Sequence, residues 1–219
     1  MIATSRFVFL HLHKSGGTFV NQWLLRFFAD ARQIGYHLPR QEIPSALSGL
    51  PVVGLVRNPW SYYVSWYSFQ SHMPTPNALF RILSEERRLG FEGTIVNMLD
   101  LGSGGPHLDA VIAALPSSYA GRGLNLPGPR LEAIRGSGLG FYSFLYRYMY
   151  SGDGPLHVVP MERMRSELAG TLRALGVTMG SEAEGHLQSA PASNVSRHGH
   201  YADFYTPALR RLVEERDGQ

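Results

Sequence analysis

The chain contains no cysteine, and only one of its 219 residues is a lysine. The first absence excludes disulfides, thiolate metal sites and cysteine nucleophiles. No apolar run approaches the length of a membrane span. The short apolar stretch near the start lacks a basic region and a cleavage site. A cytoplasmic protein without a membrane partner is therefore expected. No internal repeat is present. No lysine-rich patch exists, and the arginines are scattered, so nucleic acid is not an expected partner. The net charge of +3 and a pI near 9.3 suit a small polyanionic ligand. Apolar residues make up 44% and charged residues 17%, which is the composition of a folded chain. The length predicts a single domain over 1–219.

What is present follows a strand–helix alternation. Residues 6–13 read as a short buried strand that ends at Gly16-Gly17. Residues 18–31 read as a helix, with Phe19, Trp23 and Phe27 at helical spacing. A second strand over 51–56 ends at Arg57, and Asn58-Pro59 opens the next helix. A third strand over 156–161 leads into a helix over 162–175. The alternation predicts an α/β three-layer sandwich: a mainly parallel central sheet with helices on both faces and a phosphate-binding loop after the first strand. Residues 102–140 hold nine glycines and read as a glycine-rich insertion of long connections around short helices. Residues 141–150 form an aromatic helix and 207–216 a surface helix.

The lone lysine, Lys14, lies in His11-Leu12-His13-Lys14-Ser15-Gly16-Gly17-Thr18, where strand meets helix. Lysine is a compact point charge on a flexible stem, whereas arginine is a broad fork. Backbone N–H groups at a helix N-terminus are unpaired and lie at the positive end of the dipole. Gly16 and Gly17 allow close backbone approach, and Ser15 and Thr18 add hydroxyls. Together they form a cradle for a tetrahedral anion. Here the lysine precedes the glycines, unlike in the nucleotide-triphosphatase loop. The second strand ends in Arg57, where a magnesium-binding protein would carry an aspartate. The cradle is thus expected to work without a metal. Arg57 stands at a strand's C-terminal end, where open α/β sheets bind ligands, and Ser65 follows two helical turns later. The two can grip one phosphate, arginine by its fork and serine by its hydroxyl.

These segments resemble the sulfotransferases that use 3′-phosphoadenosine-5′-phosphosulfate (PAPS). His13-Lys14-Ser15-Gly16-Gly17-Thr18 is similar to their 5′-phosphosulfate loop, in the His-Lys-x-Gly-Gly-Thr form of the carbohydrate branch that includes uronosyl 2-O-sulfotransferases. Arg57 and Ser65 resemble the 3′-phosphate pair. Less specifically, 156–175 resembles the family's late strand and helix, and Asn194-Val195-Ser196 with 201–213 its tail. The resemblance implies that Lys14 neutralises charge on the leaving phosphate and bridging oxygen. It implies that Ser15, Gly16, Gly17, Thr18 and Phe19, following His13, cradle the 5′ group. Arg57 and Ser65 would hold the 3′-phosphate, with Arg197 adding a contact from the tail. The implied reaction moves a sulfuryl group to a hydroxyl of a carbohydrate or small molecule and releases adenosine 3′,5′-bisphosphate (PAP).

Such a transfer needs a base for the acceptor hydroxyl, and a neutral histidine suits the task. Gly35-Tyr36-His37-Leu38-Pro39 resembles the Gly-His-apolar-Pro segment of the family's histidine branch, with Tyr36 as an extra residue. His37 is therefore the expected base; the alternative is a surface histidine. Glu42, His72 and His198 are reserves. His11 and His13 face the same way on a regular strand, but no third metal ligand is evident. Trp60, Tyr62, Tyr63, Trp66 and Tyr67 make an aromatic helix that is expected to be mostly core. Two rival functions remain at this point: a magnesium-dependent nucleotide or small-molecule kinase, and a nucleotide-binding relic without turnover.

Overall fold

The computed structural model describes residues 1–191 and 199–218. In chain order the elements are β1 (Ile2–Ala3), β2 (Val8–Leu10), α1 (Gly17–Phe27), β3 (Arg32–Gln33), β4 (Val52–Val56), α2 (Pro59–Ser71), α3 (Ala78–Leu83), α4 (Phe91–Leu99), α5 (Pro106–Ala114), α6 (Gly128–Leu131), α7 (Phe141–Tyr150), β5 (Leu156–Pro160), α8 (Met164–Ala174), α9 (Ser181–Ser189) and α10 (Pro207–Asp217), with short 3-10 turns between several of them. The chain divides into two compact units. One comprises Met1–Asn58 with Tyr146–Val195, the other Pro59–Leu145 with Ser196–Gln219. The boundary falls inside α7.

The first unit holds a five-stranded sheet in the order β3-β1-β2-β4-β5. The strands β2, β4 and β5 run parallel, with Leu10 opposite Gly54 and Val56 opposite Pro160. The mainly parallel sheet expected from the sequence is thus present. The stretch read as one strand over 6–13 is instead the second arm of a hairpin. Ile2 pairs with Phe9 and Ala3 with Val8, both antiparallel. Thr4 closes the turn: its hydroxyl donates to the Phe7 carbonyl and accepts from the Phe7 N–H, each at 3.0 Å. The strand ends at Leu10, so His11 to Gly16 form a turn outside the sheet.

Alternation along the strands divides the side chains between the two faces. Phe7, Phe9, Val53, Leu55 and Val159 pack with Trp23 and Leu24 of α1, Leu168 and Leu172 of α8, and Leu187 of α9. Burial of these apolar groups stabilises the unit at roughly 1.5–3 kcal/mol for each large side chain. Helix α1 stops at Phe27, four residues before the expected end. The Asp30 carboxylate accepts from the Ser5 N–H at 2.8 Å and the Ser5 hydroxyl at 2.6 Å, turning the chain so that Arg32–Gln33 can pair with β1. On the other face Tyr150 lies over Gly54, where an added Cβ would fall 2.3 Å from the ring. The Tyr150 hydroxyl accepts from the Leu55 N–H at 3.0 Å and donates to the Leu55 carbonyl at 2.8 Å. One phenol therefore satisfies both backbone groups of a β4 residue beyond the end of β2.

The second unit is helical. Tyr62, Tyr63 and Trp66 of α2 are buried, as expected of a core helix. The Tyr63 hydroxyl donates to the buried Asp217 carboxylate of α10 and accepts from the Tyr142 N–H. Burial holds the Asp217 carboxyl above its usual range. Residues 102–140 contain α5 and α6, and Leu108, Val111, Leu131 and Ile134 are buried. The glycines of this stretch thus punctuate packed helices. Among the described residues no helix is long and apolar enough to cross a membrane.

Candidate functional site

Three parallel strands deliver their following residues to one edge of the sheet: Lys14 after β2, Arg57 after β4, and Met161 with Glu162 after β5. Lys14 adopts the left-handed region, with φ 55°, and Gly16 follows at φ 81° as the cap of α1. Gly16, the N-cap residue of α1, makes no side-chain cap bond. The Phe19 N–H donates to the Gly16 carbonyl at 3.1 Å, and the N–H groups of Gly17 and Thr18 before it are of the kind that suits an anion. The Arg57 guanidinium donates from Nη1 to the Lys14 carbonyl at 2.9 Å. The side chain of Arg57 thus reaches the backbone of Lys14. Burial, reinforced by the Arg57 charge, lowers the Lys14 ammonium to about 8.

Two members of the turn have neighbours of their own within the fold. Ser15 is fully buried, and its hydroxyl donates to the His13 carbonyl at 3.2 Å, tying the turn together. Its backbone N–H remains the group suited to an anion. Gly17 is glycine because of a neighbour: a Cβ there would sit 2.0 Å from His11 Cδ2. The His11 ring occupies that space and accepts at Nδ1 from the Asn21 amide, 3.1 Å away. Thr18 is half-buried on the first turn of α1, and Phe19 is buried.

His37 is a buried residue, 5% exposed, which eliminates the surface alternative. Its backbone is left-handed, φ 48°. The ring stacks on His13 with centroids 3.6 Å apart and an interplanar angle of 17°, and it touches His11 at 4.2 Å. Tyr36, the extra residue, packs edge-on against both His11 and His37. His37 Nδ1 lies 2.6 Å from the His11 carbonyl. A carbonyl only accepts, so Nδ1 carries the proton and Nε2 carries the lone pair. Burial, with His13 and His11 alongside, holds the His37 imidazole well below its ordinary range. It is neutral near pH 7, but it does not titrate there. Among the described residues no cluster of three or more His, Asp or Glu side chains could hold a metal ion.

The remaining candidates fall on several elements. Ser65 is buried on α2, in the second unit. Also there, the His72 Nδ1–H donates to the Ser68 carbonyl at 2.6 Å. Glu42 closes the short 3-10 turn Arg40–Glu42 of the first unit. Arg197 and His198, with Asn194-Val195-Ser196, lie outside the described residues.

Sequence inspection did not single out Glu162. Its Oε1 accepts from the Asn58 N–H at 2.9 Å, directly after Arg57. It also borders a cleft of about 350 Å³ lined by Gly16, Phe19, Met161 and Ser166 among others. A lone carboxylate after a strand gave no signal for this contact; only the parallel register of β4 and β5 brings the residues together.

The fold and this edge define a mixed α/β protein with a candidate anion site at the C-terminal ends of its parallel strands. Among solved structures, mouse sulfotransferase SULT7A1 complexed with PAP matches 97% of this chain and 84% of its own, at 12% identity and a TM-score of 0.48. No family model and no curated protein matches the chain.

Proposed function

We propose that the chain is a PAPS-dependent sulfotransferase acting on a hydroxyl of a carbohydrate or small natural product. The observation that carries this reading is the bond from the Arg57 guanidinium to the Lys14 carbonyl, which joins the ends of two parallel strands beside the glycine-led N-terminus of α1. The donor set suits a nucleotide with two separated anionic groups. Lys14 and the N–H groups of Ser15 to Thr18 would hold the 5′ group, beside Phe19, whose own N–H donates to the Gly16 carbonyl at 3.1 Å. Arg57 would hold the 3′-phosphate, with Ser65 and Arg197 as its proposed partners. A kinase fits less well, because Arg57 occupies the strand end where an aspartate would hold magnesium.

The bound donor supplies an activated sulfuryl group on a phosphosulfate anhydride. Lys14 offsets negative charge on the departing phosphate, and the α1 dipole adds to it. His37 Nε2 takes the acceptor's hydroxyl proton as the new O–S bond forms. The Nδ1–H bond to the His11 carbonyl fixes this tautomer. Because its pKa is lowered, His37 stays neutral through the physiological range.

Calorimetry tests the class. PAP should bind at least about 100-fold more tightly than ATP with Mg²⁺, a difference of about 2.7 kcal/mol; the opposite preference would replace the sulfotransferase reading with the kinase one. His37→Ala tests the base. Turnover should fall by about 10²–10⁴ with PAP affinity unchanged. Normal turnover would move the base elsewhere.

A further inference from the structure

We infer that Glu162 is a positioning residue for Arg57 and sets the chain's preference for a nucleotide bearing a 3′-phosphate. This rests on the function proposed above. The Asn58 N–H that Glu162 accepts belongs to the same planar peptide as the Arg57 carbonyl. Fixing that N–H fixes the plane, and with it the backbone angle from which the guanidinium departs. Pro59 follows and offers no N–H, so the next residue cannot supply the same anchor. A following proline disfavours the helical region for residue 58, and the Glu162 bond fixes the orientation of the peptide before it.

Glu162 itself is placed by the sheet. Val56 is opposite Pro160, so the corner after β5 runs beside the corner after β4. The short 3-10 turn Met161–Arg163 presents the carboxylate to Asn58. Glu162 is an exposed anion beside a site proposed to bind anions. Charge alone would make it a hindrance there. The hydrogen bond gives it the opposite effect, and the two contributions are separable.

Wild type, Glu162→Ala and Glu162→Gln are titrated calorimetrically with PAP and with adenosine 5′-monophosphate, which lacks the 3′-phosphate. The readout is the affinity ratio between the two nucleotides. Glu162→Ala should shrink the ratio about tenfold, with monophosphate affinity kept within about twofold. Glu162→Gln retains an oxygen that accepts the same N–H and should keep the ratio within about twofold. The inference fails if Glu162→Ala keeps the ratio, if Glu162→Gln falls as far, or if both variants bind PAP more tightly than wild type. A wild-type protein that does not distinguish the two nucleotides would overturn the proposed function itself and, with it, this role.

Discussion

Replacing Lys14 with alanine should lower sulfuryl transfer by about 10³-fold, a loss of about 4 kcal/mol of transition-state stabilisation. Lys14 is the chain's one lysine, and its backbone carbonyl is held by Arg57. PAP affinity should fall much less, because the helix N-terminus and Arg57 remain. Lys14→Arg should not restore the rate: a planar fork does not reproduce a point charge in a turn of this size. The pH profile gives an independent check. The ammonium of the free protein is lowered to about 8, so kcat/KM should decline as pH rises through that value. Near-normal turnover of the alanine variant would remove Lys14 from the chemistry. Stability should move in the opposite direction. Burial disfavours the charged form, so at neutral pH the fold carries a penalty that is relieved only as pH rises from about 8 towards the unfolded-state value. Lys14→Met should therefore gain about 1 kcal/mol at pH 7, after allowance for screening of a partly exposed charge. That gain should vanish in strongly alkaline buffer.

Gly17→Ala should destabilise the first unit by about 3 kcal/mol, measured by denaturant melts. The added methyl would overlap the His11 ring, which is buried beneath the start of α1 and bonded to Asn21. The ring has little room to retreat on the side of His37, whose ring packs against it with centroids 4.2 Å apart. A double-mutant cycle with His11→Ala should show coupling of about 2 kcal/mol, since removing the ring makes room for the methyl. Strict additivity would mean that the ring is not the obstacle. Failure of PAP to bind the double variant despite restored folding would assign Gly17 a direct role at the ligand as well.

The glycine turn and the Arg57 corner could be read from the residues because each follows an apolar run and is punctuated by glycine or proline. These signals are local. The β1 strand is two residues long, and β3 is the exposed pair Arg32–Gln33, so neither carries a periodic pattern. The histidine stack was half apparent. Alternation put His11 and His13 on one side, yet the strand ends before both, and they converge on His37 through turn geometry. That convergence needs a left-handed His37, which propensity does not announce. Glu162 and the second purpose of Gly17 depend on register between distant strands or on a side chain six residues earlier, and are visible only in three dimensions.

The phenol of Tyr150, bonded to both backbone groups of Leu55, governs how far two neighbouring strands can zip together. Were residues 11 and 12 to anneal onto β4, they would need the amide and carbonyl that this ring already engages. Continued pairing of β2 is thus blocked by a competitor seated in advance. The gap between the strand ends stays open, and the lysine-bearing turn keeps its curl instead of being drawn into a flat ribbon.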